Sequence, residues 1–99
     1  FQPEGIALYD CADGSGWWFA ADQGKGANYF HVFDRRSLEY RGSFTGVSTL
    51  NTDGVWMTRH ALPGFDHGAF FAVHDDGNVA AFDLAQILDT MNLARCAAP

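Results

Sequence analysis

Glu4-Gly5-Ile6 and Asp53-Gly54-Val55 are one short phrase written twice, and the residues that follow each copy stay in step. Asp22-Gln23-Gly24 is answered by Asp75-Asp76-Gly77, Asn28 by Asn78, and Val32-Phe33-Asp34 by Ala81-Phe82-Asp83. An internal period of about fifty residues, filled with short strands, is the signature of β-propeller blades. It predicts an all-β fold of two consecutive four-stranded antiparallel blades, one over about 4–46 and one over about 53–92, followed by a short C-terminal helix. Repeat units bury their faces on neighbours, and about three or more are usually needed for stability. Residues 1–99 are therefore expected to be part of a propeller domain rather than a closed ring.

Working outward from the first phrase, Ile6-Ala7-Leu8-Tyr9 reads as a short apolar strand, and Ala12-Asp13-Gly14-Ser15-Gly16 as a turn built from Asp and Gly. Trp17 to Ala21 is continuously apolar, as expected of a strand packed on both faces. Gln23 to Asn28 reads as a loop, Tyr29 to Asp34 as a third strand, Arg35-Arg36-Ser37 as a turn and Leu38 to Phe44 as a fourth strand. Thr45 to Thr52 links the repeats. The second copy runs through Val55 to Thr58, a long loop from Ala61 to Gly68, Ala69 to His74, a turn at Asp75-Asp76-Gly77, and Val79 to Phe82. Its fourth strand is replaced by a helix from Leu84 to Asn92 capped by Asp83, with Leu84, Ile87, Leu88 and Met91 on one face. That leaves the outer edge of the second sheet open or covered by the helix.

Bulk composition narrows the function classes. Hydrophobic residues make up 47% and charged residues 18%, so a disordered chain is excluded. The net charge is −6 with no basic run, the reverse of a phosphate-tracking surface, which argues against nucleic acid as a partner. No apolar stretch approaches the roughly 18 residues of a membrane-spanning helix, so no membrane partner is expected. Cys11 and Cys96 fit neither a zinc knuckle nor a redox C-x-x-C pair. They are either two separate buried thiols or one disulfide, and a disulfide implies an oxidising location, secreted or periplasmic.

Candidate chemistry follows the repeat. In a propeller the first strand of each blade lines the central channel, and Glu4 and Asp53 each precede such a strand. Their carboxylates are expected to converge at one channel mouth, with amide oxygens from Gln23 and Asn78 beside them. Oxygen-only donors suit Ca2+, which takes six to eight of them. The alternative is that Glu4 and Asp53 are turn residues bonding local backbone N–H groups. Asp10 to Gly14 opens like a calcium loop but lacks the later glutamate of an EF-hand, so it reads as a hairpin turn. His31, His60, His67 and His74 show no metal-ligand spacing, and His31 and His74 read as packed or hydrogen-bonded strand residues. No G-x-S-x-G elbow is present, and neither Ser15 nor Ser48 has an evident base.

Pro3-Glu4-Gly5-Ile6-Ala7-Leu8-Tyr9, Ala21-Asp22-Gln23-Gly24, Thr52-Asp53-Gly54 and Phe71 to Asn78 occur in that order and together resemble the C-terminal portion of the β-propeller phytases. The resemblance spans nearly the whole chain. It implies a six-bladed parent with a calcium-lined cleft, a 3-phytase that hydrolyses phosphomonoesters of myo-inositol hexakisphosphate by means of a metal-activated water. On this resemblance Glu4, Gln23 and Asp53 are metal-site residues, with Glu4 and Asp53 also catalytic. Asn78 looks like the family's late asparagine near the phosphate. Arg59, which ends an inner strand, is the one basic residue here to watch as a substrate contact. Gln2 stands where many members carry an aspartate, and Gly46 to Leu50 lacks the acid many place before Thr-Asp-Gly; both changes are expected to weaken calcium binding.

The implied partners are phytate or other inositol phosphates, together with the remaining blades or further copies of the chain. Most phosphate-holding basic residues of the family belong to earlier blades, and Arg35, Arg36 and Arg41 read as solvated surface. The isolated chain is then expected to be inactive unless it assembles. The competing reading is a non-catalytic propeller module that binds a ligand or protein partner at the channel mouth or at an open edge. A blander one is a blade fragment of purely structural worth.

Overall fold

The computed structural model describes residues 3–24, 27–45, 52–74 and 79–96; the side chains at 3, 4, 23, 27, 28, 52, 53 and 74 lie outside that description. Seven strands and one helix follow one another as β1 (Pro3–Asp10), β2 (Gly16–Gly24), β3 (Ala27–Asp34), β4 (Tyr40–Phe44), β5 (Thr52–Thr58), β6 (Ala69–His74), β7 (Val79–Asp83) and α1 (Leu84–Thr90). They form two antiparallel meanders, β1-β2-β3-β4 and β5-β6-β7. The first repeat has its four strands. Among the described residues the second has three, so the four-stranded blade is completed once and the second repeat lacks its fourth strand, with a helix following β7 as its sequence indicates. The expected turn at 75–77 and most of the linking loop, 46–51, lie outside the described residues.

Strand ends extend further than the apolar runs that announce them. Gln23 and Gly24 pair with Asn28 and Ala27, so the expected loop from Gln23 to Asn28 is largely strand. Backbone pairing continues there although apolar alternation has stopped. At the other side β4 begins at Tyr40 rather than Leu38, because Leu38 takes a left-handed φ of 62° and reverses the chain.

The register shows why the two sheets pack on each other. On β1, β2 and β3, Ala7, Phe19, Ala21, Phe30 and Val32 share one face, while Ile6, Leu8, Trp18, Ala20, His31 and Phe33 share the other. In the second sheet Val55, Met57, Phe70, Ala72 and Phe82 share one face, and Trp56, Phe71, Val73, Val79 and Ala81 the other. The core forms where the first of these faces meets the third. Phe19, Phe30 and Phe70 are fully buried. Ring centroids stand 5.2 Å apart for Phe19–Phe70 and for Phe30–Phe70, 5.7 Å for Phe30–Phe82, and 5.8 Å for both Phe44–Phe70 and Phe44–Phe82. Tilted and edge-on rings at these separations add packing energy beyond the area they bury.

Each repeat opens its second strand with a glycine that no other residue can replace. Gly16 (φ 147°) and Gly68 (φ 98°) are equivalent, and a Cβ at either would collide with a carbonyl of the preceding strand, Tyr9 in the first and Thr58 in the second. The register also moves one pairing of the repeats. Asp22 lies opposite Pro3 and His74 opposite Thr52, so Asp22 is equivalent to His74, one residue away from the Asp22–Asp75 match of the sequence.

The helix forms where expected. The Asp83 side chain accepts a hydrogen bond from the Ala85 N–H at 3.1 Å, and Leu84, Ile87 and Leu88 are buried in the core cluster. Its apolar face enters the space between the sheets, beside Phe44 and Phe82. It does not pair with β7, so β7 is the edge strand of its sheet among the described residues. Beyond the helix the chain returns to the first sheet. The Trp17 indole Nε1 donates to the Ala94 carbonyl at 2.9 Å, the Cys96 N–H to the Tyr9 hydroxyl at 3.1 Å, and Cys11 and Cys96 are joined in a disulfide.

Candidate functional site

The two repeated acids occupy a special backbone position. On β1 the pairing runs from Pro3↔Asp22 directly to Gly5↔Ala21, so Glu4 is an extra residue opposite a single step of β2. On β5 it runs from Thr52↔His74 to Gly54↔Val73, so Asp53 is extra in the same way. Each acid is the unpaired residue of a β-bulge, a device found at sheet edges and beside active sites, where it re-aims a side chain. The two bulges lie at the same end of neighbouring strands, for β1 and β5 abut. A Cβ at Gly5 would sit 3.3 Å from the Val55 nitrogen and 3.5 Å from the Gly54 Cα, so the strands meet backbone to backbone just beyond the two acids.

The remaining predicted residues divide between the two ends of the sheets. Gln23, near the C-terminal end of β2, falls at the same rim as the bulges because β2 runs antiparallel to β1. Asn78 lies outside the described residues; it directly precedes Val79, the first residue of β7. Arg59 follows the far end of β5, about 20 Å from Asp53 at the rise of an extended strand. It is exposed there, in a cleft of about 290 Å3 lined by Leu8, Asp10, Met57, Thr58 and His60. The structure thus brings positions 4, 23 and 53 to one rim and leaves Arg59 at the other.

Three arginines read as solvated surface have specific work. Arg35 Nη1 donates to Asp10 Oδ1 at 2.9 Å and to the carbonyls of Cys11 and Ser15. Arg36 donates to the carbonyls of Gly14 and Asp13 at 3.2 and 2.6 Å. The Arg41 guanidinium stands 5.3 Å from the Trp17 ring centroid, a cation–π contact. Together they tie the β1–β2 turn to the β3–β4 turn, at the end of the sheet away from the bulges. Sequence spacing hides these contacts because the partners are about 20 to 25 residues apart.

The same turns hold the perturbed carboxylates. The hydroxyl and N–H of Ser15 hold Asp13 below the usual carboxylate range, with the charge of Arg36 adding to them. The N–H groups of Ser37 and Arg36, each 2.9 Å from Oδ1, do the same for Asp34.

A polar line missed by the sequence crosses the sheet. Asp22 Oδ2 lies 2.9 Å from His31 Nε2, and His31 Nδ1 lies 3.2 Å from the Tyr40 hydroxyl. His31 is thus a hydrogen-bonded strand residue, as expected, and the His31 ring also lies near Tyr29. Only cross-strand register could have revealed its partners, since Asp22 and Tyr40 each lie nine residues away. The three groups are hydrogen-bonded in one line across β2, β3 and β4.

Among the described residues no three His, Cys, Asp or Glu side chains cluster as metal ligands; the side chains of Glu4 and Asp53 are outside that set. No helix of the described residues is long and apolar enough to cross a membrane. Compared with known proteins, the chain matches no family model, no curated protein and no solved structure.

Proposed function

We propose that this chain is the C-terminal two-blade part of a six-bladed, calcium-dependent phytase-like propeller, a phosphoric monoester hydrolase acting on myo-inositol hexakisphosphate and secreted or periplasmic. The observation that carries the reading is the repeated bulge. Two acids, one per repeat, are extra residues at the same end of two abutting strands. Bulges at equivalent positions are costly irregularities to repeat without a use for the residue they set apart.

The donor set at this rim fits the implied cation. Glu4 and Asp53 offer carboxylates and Gln23 an amide oxygen, all hard ligands of the kind Ca2+ takes, with no sulfur or imidazole among them. Bound calcium supplies charge neutralisation for the substrate phosphates and a more acidic water. Glu4 and Asp53 hold and orient that centre, and Gln23 adds its oxygen from the end of the adjacent strand. Asn78 directly precedes Val79, which begins β7, and in this reading it is the residue that contacts a phosphate oxygen. Arg59 is left out of this site by its place at the opposite end, and Arg35, Arg36 and Arg41 are already engaged. With a net charge of −6, the chain needs cations to approach a polyphosphate.

The test is calcium-dependent phosphate release from phytate by the assembled protein, with and without chelator. Release that chelation abolishes, and that Glu4→Ala or Asp53→Ala lowers by about 100-fold or more, is expected. Unchanged release in both variants removes the site. If phytate is never cleaved while the assembled protein still binds a partner through its apolar faces, the non-catalytic module is the better reading; the two open apolar sheet faces favour it as the second choice.

A further inference from the structure

We infer that copies of this chain associate head to tail, the open face of the first sheet in one copy packing on the open face of the second sheet in the next. The inference concerns the 99-residue chain by itself and rests on a correspondence between faces. It does not need the chemistry proposed above, and blades of a longer polypeptide would compete for the same two faces. The faces that meet inside the molecule are, from the first sheet, that of Ala7, Phe19, Ala21, Phe30 and Val32, and from the second, that of Val55, Met57, Phe70, Ala72 and Phe82. The first may be called the trailing face and the second the leading face, since each sheet has one of either kind.

By strand register, the uncovered leading face of the first sheet repeats the apolar character of the buried one at five positions. Ile6 corresponds to Val55, Leu8 to Met57, Trp18 to Phe70, Ala20 to Ala72 and Phe33 to Phe82. At a sixth, His31, hydrogen-bonded to Asp22 and Tyr40, stands where the second sheet has Ala80. Ile6, Trp18, Ala20, Phe33 and Leu38 line a shallow apolar depression of about 440 Å3, and Ile6 and Leu38 are 62% and 63% exposed. The uncovered trailing face of the second sheet repeats the other partner: Trp56, Phe71, Val73, Val79 and Ala81 stand where Ala7, Phe19, Ala21, Phe30 and Val32 stand. Trp56 is 61% exposed and Val79 58%. Contiguous exposed apolar surface of this kind marks an interaction site.

The glycines give the packing its direction. Gly5, on the trailing face of the first sheet, is closely approached by β5 at Val55 and Gly54. Gly54, its equivalent on the second sheet, has nothing within 4 Å of the place a Cβ would take. The next copy's β1 approaches Gly54 as β5 approaches Gly5. Among the described residues one leading face and one trailing face are uncovered. An interface of this heterologous type closes into a ring or continues as a filament, according to the rotation between copies.

The experiment is mass in solution at concentrations up to about 0.1 mM. The wild-type chain is expected as multiples of its 10.8 kDa mass. Ile6→Asp blocks the leading face and Trp56→Asp the trailing face, and both sites are exposed enough for the fold to survive. Each variant alone is expected to be monomeric. Mixed in equal amounts, they restore one good interface and give a dimer of twice the chain mass and nothing larger. A monomeric wild type overturns the inference and leaves these faces to sheets of a longer polypeptide. Self-association of either variant alone also overturns it, since like faces would then be pairing. Should either variant fail to fold by circular dichroism, Leu38→Lys and Val79→Lys provide a second pair on the same two faces.

Discussion

Asp34 and Asp83 end the third strand of their respective sheets and make the same first move, yet the chain does different things after them. Each carboxylate accepts a hydrogen bond from the backbone N–H two residues on, Arg36 at 2.9 Å and Ala85 at 3.1 Å. After Asp34 the chain makes one helical turn, closed by Leu38 N–H to the Asp34 carbonyl at 2.9 Å. It then reverses at the left-handed Leu38 and returns as β4. After Asp83 the helix continues, because Leu84, Ile87 and Leu88 can be buried together between the sheets while Ala85, Gln86 and Leu88 are good helix formers. One repeat therefore completes its sheet with β4, and the other packs a helix against the core and leaves β7 at the edge of its sheet among the described residues. The cap chooses the start of a turn, and the residues after it choose how long the turn lasts.

The largest expected effect comes from the bond that sutures the two regions. Cys11 follows β1, Cys96 follows the helix, and 85 residues separate them. In the chain-entropy picture a loop of that size constrains the unfolded state by about 4–5 kcal/mol. Reduction, or Cys11→Ser with Cys96→Ser, is expected to lower the thermal midpoint of unfolding by well over 10 °C for a domain of this size. A shift of a degree or two would mean that the tail adds little to holding the repeats together.

Next come paired truncations that separate a covered face from an open one. Phe70 is fully buried among Phe19, Phe30, Phe44 and Phe82, and Phe70→Ala is expected to cost about 3–5 kcal/mol in denaturant unfolding. Trp56 is comparably large but lies on the open face of the same sheet, 61% exposed and stacked on Phe71 at 5.4 Å. In the monomeric chain Trp56→Ala is expected to cost less than about 1 kcal/mol. It installs the residue that the first repeat already carries at that position, Ala7. Equal costs would mean that the two faces of the sheet are not distinct.

The glycine pair is a smaller and more selective contrast. Gly5→Ala pushes a methyl against the Val55 backbone and is expected to cost about 1–3 kcal/mol through overpacking. Gly54→Ala meets open space and is expected to leave monomer stability within about 0.5 kcal/mol of wild type. The comparison breaks if both substitutions behave alike.

Much of this was legible in the sequence for reasons that can be named. Apolar runs bounded by Gly and Asp marked all seven strands, and Asp83 followed by Leu84, Ile87 and Leu88 marked a capped helix. Pairing across strands was not legible. The bulges at Glu4 and Asp53, the extension of β2 through Gln23, the arginine ties and the Asp22–His31–Tyr40 line all depend on which residues stand opposite one another. A one-residue slip reverses every side chain on a strand. Of the candidate site, the repeat drew attention to positions 4 and 53, and the reading of Arg59 as the end of an inner strand already put it at the far end of β5 from Asp53.

The smallest effect is electrostatic and distinguishes the two strand ends by pH. The N–H groups of Ser37 and Arg36 hold the Asp34 carboxyl below the usual carboxylate range. A carboxylate with a lowered folded-state pKa binds protons less readily when folded than when unfolded. Its contribution is fully present above its unfolded value, near 4, and is lost as the pH falls through the lower folded value. Asp13, held down by the Ser15 hydroxyl and N–H, acts in the same window and in the same sense. Both lie in the turns tied by Arg36, so protonation is expected to weaken that end of the first sheet. Asp34→Asn keeps an oxygen acceptor for the two N–H groups but cannot titrate. Its stability is therefore expected to fall less steeply than that of wild type as the pH drops below about 4, and to be slightly lower than wild type near neutrality. Parallel acid-unfolding curves for the two proteins would show that the turn at Asp34 holds its shape without the charge.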